Sequence, residues 1–107
     1  MELITEIIES QEFDEKILID IPSAVFFYAK WCSPCKMQSQ IIYEFAEELN
    51  GKIQVLKVDV DVNSELADRF GIDTIPAFSV FVDGKLKEKH SGVKTKAQLC
   101  EIIIKYL

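Results

Sequence analysis

Residues 24–36, Ala-Val-Phe-Phe-Tyr-Ala-Lys-Trp-Cys-Ser-Pro-Cys-Lys, decide the fold of this chain. They open with a continuous apolar run of the length expected for a strand that is buried on both faces. After the second cysteine, apolar residues recur at helical spacing over residues 37–49, and Asn50-Gly51 follows as a helix stop. We therefore predict a buried strand followed by a long helix, with the two cysteines where the strand ends and the helix begins.

The residues that follow add a second strand, a short helix and a hairpin. Residues 53–60 form another apolar run rich in β-branched residues, so strand, helix and strand make a parallel unit with a right-handed crossover. Residues 63–70 predict a short helix. Residues 77–82 and 85–90 predict an antiparallel hairpin, because the Asp83-Gly84 pair between them favours a type I′ turn.

The two ends of the chain complete the fold class. Thr95 and Gln98 have the spacing of a capping box and begin an amphipathic helix that extends to Tyr106. Residues 3–8 fit a helix and a strand equally well by periodicity. Together the elements predict an α/β fold with a mixed sheet and helices on both faces.

Composition narrows the class of protein further. The chain has 107 residues, which predicts one domain over residues 1–107. Its 12 basic and 18 acidic side chains argue against a nucleic-acid-binding surface. No apolar run approaches the roughly 18 residues that span a membrane, and the acidic opening does not resemble a signal peptide. We expect a cytoplasmic monomer that binds neither nucleic acid nor membrane.

Cys32 and Cys35 are the candidate catalytic residues. Three positions apart in a first helical turn, their sulfurs share one face within reach of a disulfide. Pro34 fits that turn, where a missing backbone N–H costs little. Free N–H groups and the positive end of the helix dipole favour a thiolate, most strongly at the more N-terminal sulfur. We therefore predict that Cys32 is the exposed nucleophile and Cys35 the resolving thiol of disulfide exchange.

With these motifs, the chain resembles the thioredoxin family over nearly its whole length. The resemblance rests on Trp31-Cys-Ser-Pro-Cys-Lys36, Lys57-x-Asp59-x-Asp61, the stretch from Gly71 to Ile75-Pro76, Gly84 and Gly92. It implies the thioredoxin fold, a central mixed five-stranded sheet flanked by four helices, with an edge strand near residues 4–8 and a short helix around Phe13. It also implies a protein-disulfide reductase that has no cofactor beyond its cysteine pair and takes electrons from thioredoxin reductase.

The resemblance further implies a groove for disulfide-containing target proteins. Ile75-Pro76 would be cis, and the backbone before the proline would pair with an extended target as a strand adds to a sheet edge. From the residues alone, a trans proline that ends a loop stays open. The groove positions that match the family are Trp31, Val60, Thr74, Ile75, Pro76 and Gly92.

Phe26 is where this chain departs from the family pattern. Thioredoxins commonly carry a buried aspartate at the matching position, beside a lysine matched here by Lys57, and that carboxylate helps to move the proton of the resolving thiol. We expect Asp59, on the same strand face as Lys57, to be the replacement partner of the lysine. We also expect Cys35 to lose its proton through water or a mobile carboxylate, and exchange to be slower than with the aspartate.

Cys100 and His90 are the remaining residues with reactive side chains, and two alternative functions stay open. Core packing is the simpler interpretation of Cys100, although a regulatory or dimer-forming thiol stays open. His90 is interpreted as a surface strand residue, and a zinc site that combines it with the cysteines lacks a short second ligand spacing. The alternatives to a disulfide reductase are a redox protein with an atypical reductase and a binding module that uses the groove as a scaffold.

Overall fold

Five strands form one mixed sheet in the computed structural model, which describes residues 2–107. The strands are β1 (Thr5–Ile7), β2 (Ser23–Tyr28), β3 (Gln54–Asp59), β4 (Ala77–Val82) and β5 (Lys85–Ser91). They lie in the order β1-β3-β2-β4-β5, so that β2 is central. β3 pairs parallel with both β1 and β2, whereas β4 pairs antiparallel with β2 and β5. The predicted mixed sheet is confirmed, with a shorter edge strand β1 than expected.

Four helices flank this sheet. They are α1 (Ser10–Lys16), α2 (Ser33–Glu48), α3 (Ser64–Arg69) and α4 (Lys96–Ile103), and a 3-10 turn (Ile104–Tyr106) continues α4. The predicted capping box starts α4, because the Thr95 hydroxyl accepts from the Gln98 backbone N–H at 3.1 Å while the Gln98 side chain accepts from the Thr95 N–H at 2.8 Å. The predicted starts of helices α2 and α4 are both confirmed.

Alternating side chains of the sheet build a separate apolar core on each face. Phe26 and Phe78 lie in the core that also holds Cys32, Cys35 and the buried side of α2 and α4. Phe27 and Phe81 lie in the opposite core, against Phe13 of α1 and Leu66 of α3. The central strand β2 is buried because it contributes to both cores, which explains its continuous apolar sequence.

The hairpin between β4 and β5 turns at Asp83 and Gly84, as predicted. Their φ angles are +51° and +80°, the left-handed values that a type I′ turn requires at both central residues. Asparagine, aspartate and glycine tolerate this region best, so the sequence of the turn specifies its conformation. The pairing places β5 at one edge of the sheet, opposite the edge strand β1.

The connection from β2 to α2 leaves the sheet at its centre. Residues 29–32 link the carboxyl end of β2 to the first turn of α2, and the Val60 N–H donates to the Tyr28 carbonyl at 2.9 Å. The carboxyl ends of β2 and β3 therefore meet directly below the cysteine loop. This edge of an open α/β sheet is where reactive groups commonly gather.

Candidate active site

Cys32 and Cys35 lie at the start of α2 and are joined by a disulfide. Cys32 is the residue that precedes the helix, and its Sγ accepts a hydrogen bond of 3.2 Å from the Cys35 N–H. Pro34 lies within the first turn, as predicted. The two Cα atoms are 5.3 Å apart, within the usual range for a disulfide. The first turn of α2 thus supplies both the spacing and an N–H donor aimed at the first sulfur.

The expected exposure of Cys32 is wrong for this disulfide-bonded form. Cys32 exposes 5% of its surface and Cys35 2%. The sulfur of Cys32 folds back over the first turn of α2 and bonds both to the Cys35 N–H and to the Cys35 sulfur, which removes it from solvent. Cys32 is nevertheless the more accessible of the two, which agrees with the order of roles predicted for them.

Trp31 projects from the surface beside the disulfide. Its side chain is 71% exposed, and its indole Nε1–H donates to Asp61 Oδ2 at 2.8 Å. The hydrogen bond from the loop after β3 holds the ring in one orientation. The sequence motifs contain Trp31 and Asp61, but they do not reveal that these two side chains are hydrogen-bonded to each other.

The Ile75-Pro76 peptide bond is cis. Because β4 begins only at Ala77, the residues before it lie outside the paired part of the sheet. Ile75 and Val60 both pack against the apolar core that contains the two cysteines. The Gly92 N–H donates to the Pro76 carbonyl at 2.8 Å, which joins the two segments. The structure thus brings five of the predicted groove residues to the cysteine end of the sheet: Trp31, Val60, Ile75, Pro76 and Gly92.

Thr74 occupies the outer part of this surface. It is exposed, and its hydroxyl donates to the neighbouring Asp73 carboxylate at 3.3 Å. The side chain therefore bonds along its own loop, whereas Ile75 next to it packs inward.

The partner predicted for Lys57 is wrong. Lys57 Nζ lies 3.5 Å from Glu6 Oε1 and 5.7 Å from the centre of the Tyr28 ring. Asp59 instead is 3% exposed, and its carboxylate accepts from the Asp61 N–H at 2.9 Å. The register explains the difference, because Glu6 of β1 is the direct neighbour of Lys57 on β3. A residue on the adjacent strand is closer to the lysine head group than one two positions along its own strand.

Phe26 fills the place where the family pattern has a carboxylate. It is 2% exposed and stacks on Tyr28, with ring centres 5.5 Å apart. Its register partner on β3 is Lys57. The lysine avoids a buried, unpaired charge because its side chain remains 35% exposed and lies beside Glu6 on the adjacent strand β1.

Tyr28 and Glu6 are site residues that sequence reasoning missed. The Tyr28 hydroxyl donates to Glu6 Oε1 at 2.8 Å, across the intervening strand β3. Burial first, and then the bond and the negative charge of Glu6, with a further contribution from Asp59, raise the pKa of Tyr28 above its ordinary value. The Tyr28 hydroxyl is therefore protonated at neutral pH. The sequence shows the polar residues but not the strand order that brings them together.

A cavity of about 220 Å³ opens beneath the second cysteine. Its lining is mostly apolar and comes from six residues: Tyr28, Ala29, Lys30, Cys35, Lys36 and Ser39. The cavity therefore borders both the buried Cys35 and Tyr28 of β2.

Cys100 and His90 lie away from this site. Cys100 is half-buried on α4 beside the core, as predicted, and its Sγ lies 3.7 Å from Glu48 Oε2. His90 on β5 is half-buried, and its Nε2 lies 2.7 Å from Glu88 Oε1. Within residues 2–107 no cluster of three or more histidine, cysteine, aspartate or glutamate side chains could hold a metal ion. Over the same residues, no helix has the length and apolarity needed to cross a membrane.

Comparison with known proteins agrees with this geometry. A family model described as Thioredoxin matches residues 4–105. The thioredoxin of Rickettsia bellii is 38% identical over 97 residues, 90% of this chain and 92% of the relative. That of Bacillus subtilis is 40% identical over 81 residues, 76% and 78% of the two chains. A solved thioredoxin variant from Halobacterium salinarum has a TM-score of 0.89 at 29% identity, covering 96% of this chain and 89% of that one.

Fold, disulfide and relatives together define a thiol–disulfide oxidoreductase that reduces protein disulfides. The redox centre is a Cys-x-x-Cys pair at the start of α2, with a cis proline contributed by the segment before β4. The chain belongs to the thioredoxin family.

Proposed function

We propose that Cys32 is the nucleophile and Cys35 the resolving thiol of this reductase, which acts as one domain over residues 1–107. The observation that carries the assignment is the position of Cys32 immediately before α2, with its Sγ bonded to the Cys35 N–H. A 16-residue helix presents its free N–H groups and dipole to that sulfur and stabilises a thiolate there. Cys35 lies one turn further in and is the more buried of the pair.

The reaction then balances over two exchanges. The Cys32 thiolate attacks one sulfur of a target disulfide, forms a mixed disulfide and releases the other target sulfur as a thiolate, which takes up a proton. Cys35 loses its proton and attacks the Cys32 sulfur, so the Cys32–Cys35 disulfide forms and the second target thiol leaves. The target gains two electrons and the cysteine pair loses two. The pair carries these electrons without a further cofactor.

We also propose that the surface around Trp31 receives the target. The segment before β4 lies outside the sheet ladder, which supports pairing between its backbone and an extended peptide. The exposed ring of Trp31, held by Asp61, and the half-buried side chains of Val60 and Ile75 supply apolar contacts on either side. Thr74 and Gly92 complete the groove through their backbone.

Thioredoxin reductase is the proposed electron donor, and a reducing compartment such as the cytoplasm is the proposed place of action. Family membership supports both, because a protein-disulfide reductase turns over only while its cysteine pair is returned to the dithiol form. No nucleic acid or membrane is needed for this cycle, and we propose that the monomer performs it. Turnover with a chemical dithiol, but no turnover with a thioredoxin reductase, would favour an atypical reductase.

A trapping experiment tests the assignment of the two cysteines. The reduced wild-type protein should reduce a disulfide-bonded protein such as insulin, and Cys35→Ser should accumulate a mixed disulfide on Cys32. Cys100→Ser is the matched control and should keep full turnover. A trapped disulfide on any other cysteine, or none, would overturn the assignment. Binding of targets that is unchanged when both Cys32 and Cys35 are serine would instead support a binding module.

Comparing the reduction of protein disulfides with that of small disulfides tests the groove. Trp31→Ala should raise the KM for a protein disulfide by about tenfold, because a hydrophobic contact of this size is worth roughly 1–3 kcal/mol, while reduction of a small disulfide should change little. Tyr43→Ala removes another exposed aromatic side chain, from α2, and serves as the control. Equal losses for small and protein substrates would show that Trp31 does not contribute to a groove.

A further inference from the structure

The resolving thiol needs a proton acceptor, and this requirement rests on the function proposed for Cys35. Cys35 must lose its proton as it attacks the Cys32 sulfur, because the thiolate is the nucleophile in disulfide exchange. Its residue surface is 2% exposed, so bulk water has little direct access to the sulfur. Phe26, which occupies the position of the family's carboxylate, has no group that accepts a proton.

The cavity beneath Cys35 provides a way out for this proton. Cys35 and Tyr28 both line it, together with the hydroxyl of Ser39. Its volume of about 220 Å³ is several times the roughly 30 Å³ that one water molecule occupies in the liquid. The lining is mostly apolar, so the few polar groups of its residues, the hydroxyls of Tyr28 and Ser39 among them, are the partners that water there would use. Cys35 and Tyr28 border the same space, which is large enough for water.

Tyr28 connects this cavity to a carboxylate on the edge strand. Its hydroxyl donates to Glu6 Oε1 at 2.8 Å, which is a well-formed hydrogen bond. The Glu6 side chain is 34% exposed and can exchange a proton with solvent. Lys57 lies 3.5 Å from the same carboxylate oxygen and helps to hold it in position. The charged groups that face Tyr28 or line the cavity are Glu6 on β1, Lys30 before α2, Lys36 on α2, and Lys57 and Asp59 on β3.

We propose that Tyr28 and Glu6 are positioning residues that carry the proton of the resolving thiol from the cavity to the protein surface. Cys35 gives its proton to a water molecule, the water passes a proton to the Tyr28 oxygen, and Tyr28 passes its own proton to Glu6. In the same step the Cys35–Cys32 bond forms and the bond between Cys32 and the target sulfur breaks. The target sulfur leaves as a thiolate and takes up a proton from solvent, while Glu6 releases one.

Asp59 is the alternative acceptor, but the contacts favour Glu6. Asp59 faces Tyr28 in the strand register, but its carboxylate accepts from the Asp61 N–H. The hydroxyl proton of Tyr28 goes to Glu6. A proton that reaches Tyr28 from the cavity is therefore released along the bond that already exists, toward the exposed edge of the sheet.

Single-turnover kinetics separate the two exchange steps. In the Cys35→Ser background only the attack of Cys32 is observed, and Trp31 fluorescence reports it. In the wild-type background the resolving step is included. We expect Tyr28→Phe and Glu6→Gln each to slow resolution on the order of a hundredfold at neutral pH, the lower end of the usual effect of a proton-transfer group, and to leave attack unchanged. Tyr43→Phe changes a different tyrosine, which lies on α2, and should affect neither step.

The pH profile and chemical rescue distinguish proton transfer from a structural role. Glutamine keeps an oxygen that accepts the Tyr28 hydrogen bond but cannot take a proton under these conditions, so a merely structural Glu6 would tolerate the change. The deficit of Glu6→Gln should shrink as pH rises toward 9, where hydroxide can remove the thiol proton, and should shrink when a small carboxylate such as acetate is added. The wild-type resolving rate should fall in D2O.

Several results would overturn the relay. Resolution at the wild-type rate in either variant would do so, as would equal slowing of attack and resolution, or a deficit that does not respond to pH and acetate. Failure of the relay differs from failure of the proposed function, because Cys35→Ser would still trap a mixed disulfide on Cys32. Loss of that trapped species would instead contradict the assignment of the two cysteines.

Discussion

The side chain of Gln38 bonds to both backbone polar groups of Lys94. Gln38 Nε2 donates to the Lys94 carbonyl at 3.0 Å, and the Lys94 N–H donates to Gln38 Oε1 at 2.7 Å. Gln38 is 1% exposed and lies on α2, whereas Lys94 lies in the connection between β5 and α4. This pair of bonds fixes the segment that begins at Gly92, one of the proposed groove residues, to the helix that carries the cysteines.

Replacement of Gln38 by alanine should lower the free energy of unfolding by about 1–3 kcal/mol, because a buried amide side chain is removed and two backbone groups of Lys94 lose their partners. Denaturant unfolding of the oxidised protein measures the change. Gln40→Ala, on an exposed position of the same helix, is the control and should shift stability by less than about 0.5 kcal/mol. Equal effects of the two substitutions would show that the bonds to Lys94 contribute nothing.

Glu88 should make stability depend on pH in the acid range. Hydrogen bonds from Lys105, then Tyr106 and His90, lower the pKa of Glu88 to about 2. A carboxylate with a depressed pKa stabilises the fold fully above its unfolded value, here 4.5, and loses this contribution as pH falls toward 2. We therefore expect Glu88→Gln to be less stable than wild type at pH 7 and the gap to narrow between pH 4.5 and 2.

Urea unfolding at a series of pH values measures that gap. Glu47→Gln is the matched control, since Glu47 is an exposed residue of α2. Its difference from wild type should stay small across the range. A gap for Glu88→Gln that is constant with pH would mean that the ionised form of Glu88 is not what stabilises the contact with the end of the chain.

Cys100 should react slowly with thiol reagents. Burial first, and then the charge and the hydrogen bond of Glu48, raise the pKa of Cys100, which keeps it in the thiol form at neutral pH. In a protein with serine at positions 32 and 35, alkylation of Cys100 should be slower than in the unfolded chain. Glu48→Gln should accelerate it by about twofold to tenfold, since one pKa unit changes the thiolate fraction tenfold. Glu47→Gln should have no effect.

Phe26→Asp should restore an acceptor below Cys35. Loss of the buried ring costs about 3–5 kcal/mol, and the carboxylate adds a burial penalty, so the variant should be clearly less stable but should speed resolution at neutral pH. Phe26→Asn has the same size without the acceptor and is the control. An unchanged reduction rate of a model disulfide across pH, in a variant shown by circular dichroism to be folded, would contradict the view that proton removal limits resolution.

Local patterns in the sequence were enough to predict every element near the cysteines. The strand β2 follows from its apolar run, the start of α2 from Cys-x-x-Cys with proline between, and the hairpin turn from Asp83-Gly84. These predictions succeed because they depend on neighbours within a few positions. The cis bond at Ile75-Pro76 and the groove followed from the resemblance to a family, since residue patterns alone leave a trans proline open.

Contacts between distant strands could not be predicted in the same way. Lys57 was expected to pair with Asp59 on its own strand, but the insertion of β3 between β1 and β2 sets it beside Glu6. The bonds of Trp31 to Asp61 and of Tyr28 to Glu6 depend equally on strand order and register. A sequence gives the chemistry of each side chain but not which strands become neighbours.

The sequence by itself placed two cysteines with the spacing for disulfide exchange at a helix start, because that spacing depends on residues within one helical turn, and its resemblance to a family implied a disulfide reductase. It also identified Phe26 as the place where the usual carboxylate is missing. Only the tertiary structure decided which groups lie around this position. Packing of β3 between β1 and β2 brings Glu6, Lys57 and Tyr28 together, and Tyr28 lines one cavity with Cys35, since these contacts depend on side chains that meet only when the sheet is assembled.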